Sequence, residues 1–299
     1  MSRPISRRAV LVSLGAAATT TALAPSSAAS ASVARTIGEH APADSARRGR
    51  LKQSASRWCY GKIPLDELCK AAAAMTLSGI DLLDEKDWTV PKRHGLVCSM
   101  ANGFGTIPDG FNRPDLHDKL VAAGSVMIPR AAAAGVERIV CFSGNRNGLS
   151  DSEGVGNCIT GLRRLAPLAE QHNVTLCLEL LNSKVDHKDY QADHTDWGVA
   201  VVKGVNSPRV RLLFDIYHMQ IMEGNVIATI KANLPYIAHF HTGGVPGRND
   251  IDDTQETNYR AVARSIADLG FQGFFAHEFV PKNADPLVSL RNAVAICDV

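Results

Sequence analysis

Four acidic or imidazole side chains stand at the ends of four consecutive apolar runs in the second half of the chain. Each run is typical of a buried strand, and each ends near a residue that can bind a metal ion or move a proton: Glu179, Asp215, His241 and Glu278. Successive members are separated by 36, 26 and 37 residues, about one strand–helix unit each. The spacing predicts one site assembled from four neighbouring strands.

Three carboxylates and one imidazole form an oxygen-rich donor set. Such a set suits one Mn²⁺, Mg²⁺ or Co²⁺ ion with positions left open for water or substrate. A structural zinc ion would prefer thiolates or more histidines. A single acid at a strand end is more often a helix cap or an ion-pair partner. Recurrence on four consecutive units favours the metal site.

The two glutamates of this set suggest a reaction. A divalent cation that binds a carbonyl and an adjacent hydroxyl polarises the C=O bond and acidifies the neighbouring C–H. If Glu179 and Glu278 lie on opposite sides of a cavity, one can take that proton and the other can return it. The product would be an aldose–ketose isomer or a C3 epimer, formed through an enediolate.

Eight apolar runs that alternate with amphipathic segments must position these residues. From about Gln53 the predicted strands are SRWCY, GIDLL, GLVCSM, ERIVCFSG, VTLCLEL, VRLLFD, YIAHFH and GFFAHEF. Eight such units in about 250 residues predict a single (β/α)₈ TIM barrel over residues 53–299, in the α/β class. A doubly wound sheet is the alternative, but no G-x-G-x-x-G follows the first strand. In a barrel the strand ends that carry the four residues meet at one face.

The N-terminus has the features of an export signal. Arg7 and Arg8 precede a short apolar run, and small-x-small sites follow it, which predicts a twin-arginine-type signal over residues 1–31. The run is too short for a membrane-spanning helix, and no cysteine follows that could carry a lipid. Residues 32–52 are rich in Ala, Ser, Pro and Arg and predict a disordered linker. We therefore expect a periplasmic or extracellular protein without a membrane anchor.

Composition excludes several other functions. The formal net charge is +2, and loss of the signal, with three arginines and no acid, would leave about −1. A charge this close to neutral does not support the clustered basic surface that nucleic-acid binding needs, so no nucleic-acid partner is expected. The seven cysteines include no C-x-x-C, which argues against zinc-finger and thioredoxin motifs. Most are expected to be buried as small apolar side chains, although a disulfide remains open.

Several motifs between Val174 and Pro281 resemble the hydroxypyruvate isomerase family. They are ELLN, DIYHMQIMEGN, HFHTGGVPGRND, QETNY and HEFVP, which follow or flank predicted strands five to eight. That family belongs to the xylose-isomerase-like barrel superfamily, and the ketose 3-epimerases are close relatives. Residues 53–173 share the resemblance at the level of the fold. Relatives of this kind are often dimers or tetramers, so the resemblance implies a homo-oligomer.

The resemblance implies a role for each matching residue. Glu179, Asp215, His241 and Glu278 align with the metal ligands, and Glu179 and Glu278 also align with the acid–base pair. The residues implied to orient or surround the substrate are His218, Arg248 and His239. A packed histidine and a solvated loop arginine are the alternative interpretations of His218 and Arg248.

Departures from the family pattern leave the substrate open between a sugar and a hydroxy-keto acid. Hydroxypyruvate isomerases usually carry Gln where His241 stands, whereas sugar epimerases carry His. The segment NDIDDTQETNY also lacks the glycine usual before the Glu of that motif. The hypotheses are an isomerase like hydroxypyruvate isomerase, a ketose 3-epimerase, a sugar lyase or dehydratase, and an exported barrel that binds sugar without turnover.

Overall fold

The fold is described from a computed structural model, which describes residues 49–299. The predicted export signal, 1–31, and the linker before residue 49 lie outside the described residues. The first strand begins at Lys52, one residue before the predicted start of the barrel. Close by, the backbone N–H of Arg50 donates to the carbonyl of Val299. Within residues 49–299, none of the helices is long and apolar enough to span a membrane.

Eight parallel strands close into one barrel in chain order, and β1 pairs with β8. The strands are β1 Lys52–Ser56, β2 Gly79–Leu83, β3 Val97–Ala101, β4 Arg138–Cys141, β5 Thr175–Leu180, β6 Val210–Asp215, β7 Ile237–Thr242 and β8 Phe274–His277. This closed barrel confirms the predicted (β/α)₈ TIM barrel. Its strands are apolar on both faces because one face meets the helices and the other fills the interior.

Nine α-helices surround the barrel among the described residues. They are α1 Leu65–Ala74, α2 His117–Ala134, α3 Asp151–Arg163, α4 Ala166–Gln171, α5 Thr195–Val205, α6 Ile216–Met222, α7 Val226–Asn233, α8 Tyr259–Asp268 and α9 Pro286–Cys297. Two 3₁₀ turns, Glu85–Asp87 and Val90–His94, replace an α-helix after β2.

The predicted first strand, SRWCY, is wrong in its position. Strand β1 ends at Ser56, and Arg57–Tyr60 forms a 3₁₀ turn. The Arg57 guanidinium donates to the Tyr60 carbonyl at 2.7 Å, which stabilises this turn. Trp and Tyr are common in strands, so their presence favoured the strand interpretation. The turn places Trp58 at the C-terminal face of the barrel, 47% exposed.

Side chains along each strand point alternately into the barrel interior and outward into the core beneath the helices. Leu176, Leu178 and Leu180 of β5 pack in the large core, whereas Cys177 belongs to a separate cluster with Met100, Val140 and Leu213. Since side chains alternate along a strand, the residues two places beyond Cys177 and Leu213 also point inward. Those residues are Glu179 and Asp215. All seven cysteines are free, and six are buried.

Candidate active site and metal centre

Four side chains from adjacent strand ends converge at the C-terminal face of the barrel. Potential ligand atoms of Glu179, Asp215, His241 and Glu278 all lie within 4.8 Å of one another, and all four residues are buried. Asp215 pairs directly with His241 in the β6–β7 ladder. Glu278 follows His277, which pairs with Thr242 in the β7–β8 ladder. The structure thus brings together the four residues chosen from strand ends in the sequence.

His241 stands at the centre of this group and faces acids through both ring nitrogens. Its Nδ1 lies 2.6 Å from Glu278 Oε2, 3.3 Å from Glu179 Oε1 and 4.0 Å from Asp215 Oδ2. Despite this proximity, Nδ1 makes no hydrogen bond of good geometry. On the other side, Nε2 lies 2.9 Å from Asp81 Oδ2. A ring nitrogen that faces three carboxylates in this way fits a metal ligand.

The electrostatics of the group show how strongly it attracts positive charge. Burial lowers the pKa of His241, but the Glu278 charge and the hydrogen bond between Nε2 and Asp81 outweigh burial and raise it well above its ordinary value. Burial raises the pKa of Asp215 to about 7, despite the opposing charge of Arg248. Burial likewise raises the pKa of Glu179 against the pull of His241. For Glu278, the His241 and Arg248 charges overcome burial and lower the pKa.

A divalent cation fits this charge distribution. The four carboxylates of the site, which include Asp81, meet only two cationic side chains, Arg248 and His241. If all four acids are ionised, the site carries an excess of about two negative charges in a buried place. The residues that could hold the ion are the three carboxylates and His241 Nδ1, a set suited to Mg²⁺, Mn²⁺ or Co²⁺.

Asp215 also caps a helix. Its Oδ1 accepts the backbone N–H of His218 at 3.3 Å and so begins α6, directly after β6. The sequence pattern had not predicted α6 as a separate helix. The capping role and the site role are compatible, because the second oxygen, Oδ2, faces Arg248 at 3.0 Å. The cap fixes the side chain with Oδ2 directed toward Arg248.

Arg248 lies over the carboxylates from the loop after β7. Its Nη2 donates to Asp215 Oδ2 at 3.0 Å and to Glu278 Oε2 at 2.6 Å, while Nη1 lies 2.9 Å from His218 Nε2. Gly247 and Arg248 both have left-handed backbone, with φ of 90° and 54°. This turn directs the guanidinium back over the site, and the Arg248 carbonyl accepts from the Val280 backbone at 2.7 Å.

The other residues implied by the resemblance lie behind the cavity. His218 is fully buried, and its Nδ1 lies 2.7 Å from the Asn182 amide nitrogen. Asn182 Oδ1 accepts the backbone N–H groups of Val185 and Asp186, so Asn182 caps the following turn as well. His239 is fully buried and lies 3.2 Å from Asp81, and it does not line the cavity. The substrate contact implied for His239 therefore stays a prediction.

Two residues of the site escaped the sequence interpretation. Trp58 donates its indole N–H to Glu278 Oε1 at 2.5 Å, and Arg248 lies over its ring at 5.6 Å. Asp81, in the middle of β2, contacts both His239 and His241. An aspartate inside GIDLL carries no signal by itself, and the tryptophan was assigned to a strand. Both contacts join segments more than 150 residues apart.

A cavity of about 470 Å³ opens above the four residues. Its polar lining consists of Asn102, Glu179, His187, Arg248 and Glu278. Its apolar lining consists of Trp58, Leu82, Ile107, Val140, Phe142 and Leu181. A larger depression of about 600 Å³ lies between residues 251–260 and Ile296, and none of the four converging residues lines it. The smaller cavity is therefore the candidate substrate site.

Comparison with protein families identifies the family to which this fold belongs. The family model of the xylose isomerase-like TIM barrel matches residues 90–294, which is more than half of the chain. The chain belongs to that family. The match covers the strands that carry all four converging residues.

Within the xylose isomerase-like family, individual relatives are distant. The chain is 30% identical over 124 residues to "Putative hydroxypyruvate isomerase" from Homo sapiens, which covers 42% of this chain and 45% of the relative. The chain thus spans less than half the length of the curated relatives with that name. Among solved structures, AP endonuclease, family 2, from Brucella melitensis has a TM-score of 0.71 at 21% identity, over 80% of this chain and 97% of that one.

A sugar epimerase shares the same fold. The structure of D-psicose 3-epimerase with D-tagatose, from Clostridium cellulolyticum H10, has a TM-score of 0.67 at 17% identity. The alignment covers 83% of this chain and all of that one. At such low identity these structures establish the fold alone, and the reaction has to be argued from the site.

Proposed function

We propose that this protein is a divalent-metal-dependent isomerase or epimerase of a small, neutral hydroxy-ketone or sugar. The observation that carries the proposal is the convergence of Glu179, Asp215, His241 and Glu278 within 4.8 Å beneath a cavity. The names of two matched curated relatives, a putative hydroxypyruvate isomerase and a D-psicose 3-epimerase, support the same reaction class. Both reactions move a proton at a carbon next to a carbonyl.

The proton transfer is assigned to two glutamates. A bound divalent cation supplies polarisation of the substrate carbonyl, which acidifies the adjacent C–H. Glu179 and Glu278 both line the cavity, and their carboxylate oxygens lie within 4.8 Å of each other. One removes the proton and the other delivers a proton to the neighbouring carbon or to the opposite face, by way of an enediolate. Trp58 and Arg248 hold Glu278 in a fixed orientation.

The charges around the cavity favour a neutral substrate over a keto acid. Among the described residues that line the cavity, Arg248 is the only arginine or lysine. Its Nη2 is already bonded to Asp215 and Glu278. Lys184, on the fifth loop, instead donates to the carbonyls of Ile221 and Met222. A substrate carboxylate would therefore meet buried acids without a cationic side chain of its own.

The apolar wall of the cavity also suits a sugar. Leu82, Ile107, Val140, Phe142 and Leu181 contribute a hydrophobic surface to the same cavity as the two glutamates. Such a wall packs against the C–H faces of a carbon skeleton, while the few polar groups fix its orientation. A cavity of about 470 Å³ has room for more than a three-carbon acid. Exposed Trp58 at the rim adds a flat surface on which a sugar can lie.

Two other functions remain as outcomes of the test, and the charge of the cavity argues against a third. A lyase or dehydratase would begin with the same proton abstraction and then expel a hydroxyl or a carbon fragment. A sugar-binding barrel without turnover would keep the cavity but exchange no proton. A nuclease would need a basic groove for phosphates, and the one cationic side chain in the cavity lining is paired with acids.

Deuterium exchange tests the proposal. The purified protein is stripped with chelator, reloaded with Mn²⁺, Mg²⁺ or Co²⁺, and incubated in deuterated water with ketoses, aldoses and hydroxypyruvate. We expect deuterium at the carbon next to the carbonyl of a neutral ketose or aldose, read by NMR, with an isomer or epimer as product. A dehydrated product would support the lyase, and no exchange with any compound would support the binding protein.

Trp58 should contribute measurably to turnover. Trp58→Phe keeps the ring but removes the N–H that donates to Glu278 Oε1. Because a hydrogen bond to a charged group contributes about 1.5–3 kcal/mol, kcat/KM should fall about tenfold or more. The melting temperature should change little, since the side chain is 47% exposed. Val280→Ala, an exposed apolar residue two places after Glu278, is the matched control, and an equal loss in both variants would contradict the prediction.

A further inference from the structure

Asp81 has no role in the proton transfer described above, yet it is among the most enclosed acids of the barrel. It lies in the middle of β2 and is fully buried. Three donors surround its carboxylate: Ser99 Oγ at 2.6 Å, His241 Nε2 at 2.9 Å and His239 Nε2 at 3.2 Å. A buried carboxylate is costly unless it is well bonded, so this arrangement calls for an explanation.

The explanation lies in the two nitrogens of His241. Its Nε2 meets Asp81, while its Nδ1 faces Glu179, Asp215 and Glu278. An ionised carboxylate only accepts hydrogen bonds, so contact with Asp81 keeps a hydrogen on Nε2 of His241, and a divalent cation that binds the ring displaces the other hydrogen, the one on Nδ1. The lone pair of Nδ1 then points at the place where the three other acids converge. A histidine that binds a metal commonly donates its second N–H to a carboxylate in this manner.

We propose that Asp81 is a positioning residue, which fixes the ring orientation and the tautomer in which His241 offers Nδ1 to the divalent cation. Ser99 and His239 in turn hold the carboxylate of Asp81 in place. The inference rests on the proposed metal-dependent function and deepens it. It extends the metal centre across the barrel interior, from β7 to β2 and β3.

The alternative to the positioning role is that the same atoms bind a second cation. Ligand atoms of Asp81, His239 and His241 also lie within 4.8 Å of one another. That cluster offers one carboxylate that already accepts from Ser99, and the lining of the 470 Å³ cavity includes neither Asp81 nor His239. We therefore favour the positioning role, and the number of ions bound per chain separates the two.

Metal affinity provides a readout that is independent of turnover. Asp81→Asn preserves the size of the side chain but replaces one accepting oxygen by an NH₂ donor, so it cannot accept from both histidines and Ser99. Isothermal titration of the stripped protein with Mn²⁺ should show one ion per chain in the wild type. In Asp81→Asn the affinity should fall about 10–100-fold. Ser99→Ala, which leaves Nε2 of His241 bonded to Asp81, should reduce affinity by a smaller factor.

A spectroscopic measurement tests the tautomer directly. In ¹⁵N-histidine NMR of the Zn²⁺-loaded wild type, His241 should carry its hydrogen on Nε2, with Nδ1 shifted by the metal. His241→Gln assigns the signal. Asp118→Asn, at a highly exposed aspartate paired with Arg164, is the matched control and should bind Mn²⁺ like the wild type.

The outcomes separate this inference from the proposed function. If Asp81→Asn binds Mn²⁺ as tightly as the wild type does, the positioning role is overturned. A hydrogen on Nδ1 of His241 in the Zn²⁺-loaded protein would overturn it as well. Either result would leave the metal-dependent function standing. Two ions per chain in the wild type and one in Asp81→Asn would assign the cluster to a second metal instead. A wild type that binds no Mn²⁺ would overturn both. If Asp81→Asn does not fold, the NMR experiment and Ser99→Ala still decide the question.

Discussion

Replacing Glu278 by glutamine should lower the rate of deuterium exchange and of product formation by about 10³-fold. The amide keeps the shape of the side chain but can neither accept the substrate proton nor return it, and general acid–base groups typically contribute 10²–10⁴-fold. It also removes the negative charge that Arg248 and His241 now share. Initial rates with the best substrate of the panel, at saturating metal, give the measurement.

Two further measurements make the Glu278→Gln result specific. Circular dichroism and thermal melting establish that the variant is folded, and titration with Mn²⁺ separates lost metal binding from lost proton transfer. Glu137→Gln changes an exposed glutamate that is paired with Arg138, and it should leave the rate unchanged. A Glu278→Gln protein that loads with metal and still exchanges at the wild-type rate would rule out Glu278 as acid or base.

Removal of divalent cations should abolish turnover and lower the melting temperature. The acids of the site are buried close together, and a bound cation offsets their mutual repulsion. At a metal concentration about 100 times the Kd, binding should stabilise the fold by about 2.7 kcal/mol. For a domain of this size that corresponds to a shift of roughly 5–10 °C. Thermal melts in chelator, followed by addition of Mn²⁺, Mg²⁺ or Co²⁺, give both the effect and the preferred ion.

The stabilisation by metal should disappear when the ligands are removed. In Glu179→Gln/Asp215→Asn two carboxylates become neutral amides, so the variant should melt at the same temperature with and without metal. It should also be no less stable than the chelated wild type, because two buried charges that repel each other are gone. Full activity of exhaustively chelated wild-type protein would contradict the metal-dependent mechanism.

The barrel was predictable because its strands are covered on both faces. Each strand is therefore a short apolar run, and the intervening helices give the chain a period that can be counted. The prediction went wrong where local hydrogen bonds outweigh residue type. RWCY contains strand-forming residues but forms a 3₁₀ turn closed by Arg57 and Tyr60. Helix α6 was missed because it begins directly at the cap residue Asp215, without a loop.

The export signal and the linker before residue 49 stay predictions, because they lie outside the described residues. Fractionation of cells that produce the full chain, beside an Arg7→Lys/Arg8→Lys variant, would locate the protein. The periplasmic or extracellular location is thus a proposal that is independent of the chemistry of the barrel.

The sequence by itself determined the barrel and the four residues at its strand ends, since in a parallel barrel the end of each strand has a fixed place at one face. Only the tertiary structure decided what surrounds them. The Asp81 carboxylate bonds to His241 across the barrel interior, and the Trp58 indole bonds to Glu278 at the place where β1 and β8 close the barrel. The Arg248 guanidinium donates to Asp215 and Glu278, whereas His239 does not line the cavity. These contacts depend on strand register and barrel closure, which are properties of the assembled sheet and leave no local pattern in the chain.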